Sequence, residues 1–222
     1  MQRTITVKGT GTVKAKPDMT VLSMRVESQR IEYDAAMKLA SDNIERLYAS
    51  LEGAGFKKED VKTAGFNVRT DYWQEKDGKG GYKSLFNGYV ITHDLKLSFD
   101  FDMKRLSAVL MAVSGCQTKP QLSISFTIKD TEAIKEEVLR SAAENARRKA
   151  EILCAASGVE LGELESIDYN WSDVNLFSPM NYSLMSDSNM RSARSIDIVP
   201  EDVTVSDSAA FVWEIKERGK LN

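Results

Sequence analysis

Residues 121–158 read QLSISFTIKDTEAIKEEVLRSAAENARRKAEILCAASG, and a change of period inside this stretch decides the fold. Leu122, Ile124, Phe126 and Ile128 alternate with polar neighbours, the pattern of a strand with one buried face. Asp130 then stands where a helix N-cap belongs, because a short carboxylate can accept from the free N–H groups of the first turn. A helix is expected from there to about Ala156. Gly158 ends it, since a left-handed cap favours glycine. The helix face is rich in small residues, Ala142, Ala143, Ala146 and Ala150, which would let it lie close on a sheet or another helix. Strand-like chain resumes at 161–171.

Working outward, the same order occurs earlier in the chain. Residues 19–30 place Leu22, Met24 and Val26 on one face, and residues 33–52 switch to helical period with Leu39, Ile44, Leu47 and Leu51 as the apolar stripe. Gly53 and Gly55 end that helix. Strands are expected at 61–72 and 88–101, separated by a Gly-, Lys- and Asp-rich loop at 73–87. One constant shift aligns Leu47 with Ala150, Leu51 with Cys154 and Gly55 with Gly158. The expected fold is therefore α+β: two pseudo-repeated βαββ units with mainly antiparallel sheet, an N-terminal strand at 3–14 and a short linking helix at 103–114. The first repeat covers about 19–101 and the second about 121–216, with an insertion at 172–202. All of 1–222 is expected to form one domain.

Composition narrows the function. The 222 residues hold 30 Lys and Arg against 33 Asp and Glu, for a net charge of -3, so no basic excess points to nucleic acid. Hydrophobic residues make up 42% and charged residues 28%, which suits a globular chain rather than a disordered one. Two cysteines cannot frame a disulfide scaffold, and one histidine starves most metal sites and histidine relays. Cys116 and Cys154 are expected to be free, partly buried thiols. No apolar run is long enough for a membrane span. No secretory leader is visible at Met1, so the expected location is cytoplasmic, or periplasmic or cell-surface if an export segment has been removed.

The opening run Ile5-Thr6-Val7-Lys8-Gly9-Thr10-Gly11-Thr12-Val13, followed by Pro17-Asp18, resembles the start of the SIMPL domain. The Ala-rich helix containing Arg147, Arg148 and Lys149, the Ser157-Gly158-Val159 turn with Leu161-Gly162, and Gly88-Tyr89 at the start of a long strand resemble it too. The resemblance covers about residues 3–216. It implies an α+β fold and bacterial proteins, usually exported to the periplasm or outer membrane. Some members are linked to oxidative-stress tolerance, some are immunogenic surface antigens, and one assembles into a ring-like oligomer. An animal member binds a signalling kinase. The family offers no agreed catalytic residues to carry over.

Each candidate for chemistry has a plainer reading. His93-Asp94 cannot form a relay, because neighbours on a strand point to opposite faces. Gly9-Thr10-Gly11 lacks the helix and the lysine-hydroxyl pair of a phosphate loop, and reads as a strand that bends or passes close to another backbone. Glu136-Glu137, Asp100 with Asp102, and Glu201-Asp202 read as solvated faces and helix caps. Arg147-Arg148-Lys149 lies between Glu144 and Glu151, as a salt-bridged helix face would. Tyr72, Trp73, Tyr82, Phe86 and Tyr89 flank the first loop and could line a groove, but are expected to complete the core as strand ends. The insertion 172–202 carries Phe177, Met180, Tyr182, Met185 and Met190, residue types that suit adaptable protein contacts. Thioethers at Met180, Met185 and Met190 also invite a copper site, though no His or Cys supports one. The expectation is a protein that is no enzyme and uses no cofactor or metal. It would act as a homo-oligomer or through a protein partner, with those five residues as the contact loop. The alternative is a small-molecule binder or hydrolase with a pocket between the repeats.

Overall fold

A computed structural model describes residues 3–76, 81–170, 175–179, 182–184 and 199–217. The elements run β1 (Thr4–Ala15), β2 (Met19–Arg30), α1 (Tyr33–Gly53), β3 (Val61–Lys76), β4 (Tyr82–Asp100), α2 (Met103–Gly115), β5 (Gln121–Thr127), α3 (Thr131–Ala156), β6 (Val159–Asp168), β7 (Tyr182–Leu184) and β8 (Val203–Glu217). Every strand pair is antiparallel, as expected of an α+β chain with hairpin connections. The chain divides into two compact units.

The first unit is built from β1, α3, β6 and β8, with strand order β1-β8-β6. α3 buries Val138, Ala142, Ala146, Ala150 and Cys154, a ridge at i+4 spacing in which three of the five members are alanine. The small side chains bring the helix down onto the sheet. A β-carbon at Gly9 would stand 2.7 Å from that of Ala146, and one at Gly11 would overlap the Val138 carbonyl. The two glycines of β1 thus mark a close backbone approach. Val7, Phe211 and Trp213 join Ala146 and Ala150 in one cluster, while Val13, Val138, Val203 and Val205 form a second. Asp130 accepts from the Ala133 N–H at 3.0 Å, and Gly158 takes φ +73° after the helix.

The second unit is the sheet β3-β4-β2-β5-β7 with α1 and α2. Leu22, Met24 and Val26 of β2, Leu95 and Leu97 of β4, and Ile124 and Phe126 of β5 pack with Leu47 and Leu51 of α1 and Val109 of α2. Each fully buried aliphatic side chain contributes about 1.5–3 kcal/mol. The buried stripe of α1 is Ala36, Ala40, Ile44, Leu47 and Leu51, with Leu39 only half-buried. Small residues take the N-terminal positions where a leucine was expected.

Three further expectations change. Residues 73–76 and 82–87, expected in a loop, are strand: β3 runs to Lys76 and β4 begins at Tyr82. The Gly and charged residues at 75–81 masked a strand pattern whose β-formers are Tyr72, Trp73, Tyr82 and Phe86. Within 172–202, Tyr182–Leu184 forms a short strand on β5. The first strands of the two sequence runs are also placed differently. β2 and β5 lie side by side, while β1 is the strand that pairs with β8.

Candidate functional site

The hairpin β3–β4 outruns its sheet. β4 pairs with β2 only as far as Tyr89 opposite Arg30, whereas its pairing with β3 continues from Tyr72 opposite Phe86 to Lys76 opposite Tyr82. Those last five pairs form a two-stranded arm, with no third strand beside it among the described residues. Tyr72, Trp73, Tyr82 and Phe86 are 55, 48, 64 and 44% exposed. They do not complete the core as expected, because the strands that carry them extend past the core. Tyr33, Tyr89, Phe86 and Tyr72 form an edge-to-face chain with ring centroids 5.4–5.6 Å apart. Trp73, opposite Leu85, falls on the other face by strand alternation. Each face of the arm thus carries aromatic side chains, beside Gln74, Ser84 and Lys76 on one and beside Glu75 and Lys83 on the other.

An elbow sets the base of the arm. The register shifts between Asp71 and Tyr72, and Gly88 takes φ +116° with any β-carbon overlapping the Arg30 carbonyl. Asp71 Oδ2 accepts from Asn87 Nδ2 at 2.7 Å and from Gln29 Nε2 at 3.0 Å, and Gln29 also donates to the Asn87 carbonyl at 3.1 Å. The Asn87 hydrogen bond, followed by that of Gln29 and the charge of Arg69, holds the Asp71 carboxyl below the usual carboxylate range.

On the polar face of the same sheet, Arg25 grips Asp94 through Nε–Oδ1 at 2.6 Å and Nη2–Oδ2 at 3.3 Å. The pair lies in a depression of about 430 Å³ lined also by Ser23, Gln121 and Ser123. Because Asp94 is committed to Arg25, it does not orient His93. The imidazole instead meets Thr63 Oγ1 at 3.2 Å and the Phe66 ring. Burial pushes the His93 pKa down, against the opposing pull of Asp94. The contact sets a hydroxyl beside an imidazole, but Asp94, held by Arg25, does not orient that imidazole as the third member of a relay would.

The other sequence candidates are dispersed. Phe177 is exposed, and its N–H donates to Asn175 Oδ1 at 3.0 Å. Tyr182 lies in β7 opposite Ile124, and its side chain falls outside the described residues. Met180, Met185 and Met190 lie outside them altogether. Glu136, Glu137, Glu201 and Asp202 are exposed, and Asp102 caps α2. Among the described residues, no three His, Cys, Asp or Glu side chains converge as a metal site would require. Cys116 and Cys154 are buried free thiols.

The family model for SIMPL, described as a protein of unknown function (DUF541), matches residues 5–213. The chain belongs to the SIMPL family. The uncharacterized protein YggE of Edwardsiella ictaluri is 23% identical over 169 residues, 76% of this chain and 69% of the relative. YggE of Escherichia coli is 25% identical over 169 residues, covering 76% and 66%. The 26 kDa periplasmic immunogenic protein of Brucella melitensis is 24% identical over 163 residues, covering 73% and 65%. The matches thus span about two thirds of these relatives' length. In this SIMPL protein no described helix is long and apolar enough to cross a membrane.

Two features of the SIMPL chain escaped the sequence reading. The arm had a signal: Asp77-Gly78 between two aromatic runs is a hairpin dipeptide. The second is a seal on β1. Asn145 Oδ1 accepts from the Thr10 N–H at 3.1 Å, and Lys149 Nζ donates to the Lys8 carbonyl at 3.2 Å. Nothing in the basic run at 147–149 distinguished Lys149 from its neighbours. Arg147 pairs with Glu151 at 3.0 Å, as helix spacing predicts.

Proposed function

We propose that this SIMPL protein works without catalysis, by self-association through the β3–β4 arm. One observation carries the reading: the arm exposes aromatic side chains on both faces, beyond the last strand that could cover them. A two-stranded ribbon alone in water is marginal, and aromatic residues are enriched where proteins meet. A second copy laid on the arm would bury one face, and a further copy the other. The periplasm is the proposed setting, supported by the printed name of the Brucella relatives.

Light scattering across micromolar concentrations tests the association. Assemblies larger than the 24.8 kDa chain are expected, and Trp73→Ser with Phe86→Ser should return them to monomer while circular dichroism stays unchanged. A wild-type protein that is monomeric throughout would sink the reading. An oligomer indifferent to the two substitutions would move the contact elsewhere, and deletion of residues 175–198 would then test the insertion. Fractionation of cells expressing the natural gene tests the compartment, where recovery with cytoplasmic markers contradicts the proposal.

A further inference from the structure

The sheet β1-β8-β6 has two outer edges, and they are treated differently. The β1 edge is closed at its centre by Asn145 and Lys149 of α3. β6 has no neighbour on its outer side among the described residues. An open strand edge presents unpaired N–H and C=O groups, and proteins usually blunt it. Here the edge has a two-sided character. Leu161 stands opposite Ile215, Leu164 opposite Trp213 and Ile167 opposite Phe211. Trp213 and Phe211 belong to the core cluster that packs with Ala146 and Ala150; Leu161 packs against that cluster, while Leu164 and Ile167 only lie level with its members. Leu164 and Ile167 are 48% and 54% exposed. Glu160 is level with Lys216 and Asp168 with Ala210, so both point to the opposite face, and the register shifts twice, between Leu161 and Leu164, where Glu163 lies, and between Leu164 and Ser166, where Glu165 lies. The chain carries no lysine or arginine from Ala150 to Met190, so this edge lies in a purely acidic stretch.

We propose that the outer edge of β6 accepts an extended cationic segment of another polypeptide as a fourth strand. Its basic side chains alternate with apolar ones. The apolar set lies over Leu164 and Ile167, and the basic set meets Glu160 and Asp168 on the opposite face, with Glu163 at the bulge adding to the strand's negative charge. Edge addition of this kind draws affinity from main-chain hydrogen bonds and selectivity from alternate side chains. Charge excludes the simplest rival. β6 paired with β6 of a second copy would bring acidic residues together, and like charges across strands destabilise. A second copy's β1 is also unsuitable, because its own helix occupies the edge. Blunting by charge and by bulges accounts for the glutamates and the two register shifts, but not for two exposed aliphatic side chains level with Trp213 and Phe211. This inference is independent of the arm.

The test uses the full chain and a fluorescein-labelled ten-residue peptide of alternating lysine and valine, the length of β6. Saturable binding is expected, weakening as salt is raised, with new amide protection at 159–168 in hydrogen exchange. A glutamate–valine peptide should fail to bind. A lysine–valine peptide with alternate amides N-methylated should bind about tenfold more weakly or worse, because it cannot complete the ladder. Glu163→Lys with Asp168→Lys should weaken binding without altering circular dichroism, and Ile167→Lys should do so through the apolar face. The proposal is overturned if the lysine–valine peptide does not bind, if the N-methylated peptide binds as well, or if protection appears away from β6. A β6-dependent dimer of the chain alone, abolished by the same variants, would give the edge to a second copy and equally overturn it.

Discussion

Gly11 of β1 lies against the main-chain carbonyl of Val138, so close that any side chain at position 11 would overlap the oxygen. Neither side of this contact can yield cheaply, because one is strand backbone and the other is helix backbone. Gly11→Ala is therefore expected to destabilise the protein by about 3 kcal/mol, the upper range for overpacking a tight core. Gly53, at the end of α1, has nothing within 4 Å of the position of a β-carbon. Gly53→Ala should be neutral or stabilise by up to about 1 kcal/mol, because alanine suits a helix better than glycine. Urea denaturation of both variants checks this. Equal midpoints would mean that α3 can lift off β1 without loss.

The contrast between these glycines shows what the sequence made legible. The alanine face of α3 and the glycines of β1 were both readable as signs of close approach, since small residues act locally. That they meet each other was not readable, because β1 and α3 are brought together by the pairing of β1 with β8, far along the chain. Likewise Asp102, Asp130 and Gly158 act within a single turn and announced themselves, whereas the arm depends on where β2 stops. Tyr72 and Phe86 look like core strand residues from their own neighbours. They are exposed because β2 ends at Arg30, a fact located more than forty residues upstream of Tyr72. The five contact residues chosen in the insertion rested on residue type alone, and only Phe177 has a described, exposed side chain.

The caps make a second prediction. Asp102 Oδ1 accepts from both the Lys104 and Arg105 N–H groups, at 2.7 and 3.2 Å, while Asp130 accepts from Ala133 alone. Asp102→Ala is expected to cost about 1 kcal/mol, and Asp130→Ala no more than that. If thermal unfolding leaves both variants unshifted, the capping bonds have been replaced by water without loss.

His93 sets a pH dependence whose sign follows from its surroundings. Burial beside Phe66 and Thr63 lowers its pKa from the ordinary value of 6.5, so the unfolded chain takes up the proton more readily than the folded one. Its contribution is complete above that value and is lost as pH falls from 6.5 toward the lower folded value. Urea midpoints should therefore drop between about pH 7.5 and pH 5.5, and His93→Gln should flatten that drop. A wild-type midpoint constant over this range would show that the imidazole protonates in place without cost.

The elbow offers the sharpest test of the arm, since it can be loosened without touching an aromatic residue. Asp71 holds Asn87 and Gln29 together, and both amides lose their shared acceptor in Asp71→Ala. Hydrogen exchange should then quicken at 82–86, where the ladder has only β3 beside it, while α1 keeps its protection. Self-association should weaken in step, because an arm of uncertain direction pays more conformational entropy to dock. Acid should mimic the substitution late. The Asp71 carboxyl titrates below its ordinary 3.8, so the elbow stays fixed as pH falls to that value and loosens only beneath it. Asp71→Asn removes this titration while keeping one acceptor oxygen, so its exchange at 82–86 should lie between wild type and Asp71→Ala and ignore pH. Unchanged exchange at 82–86 in Asp71→Ala would mean that Gly88 and the strand register alone direct the arm.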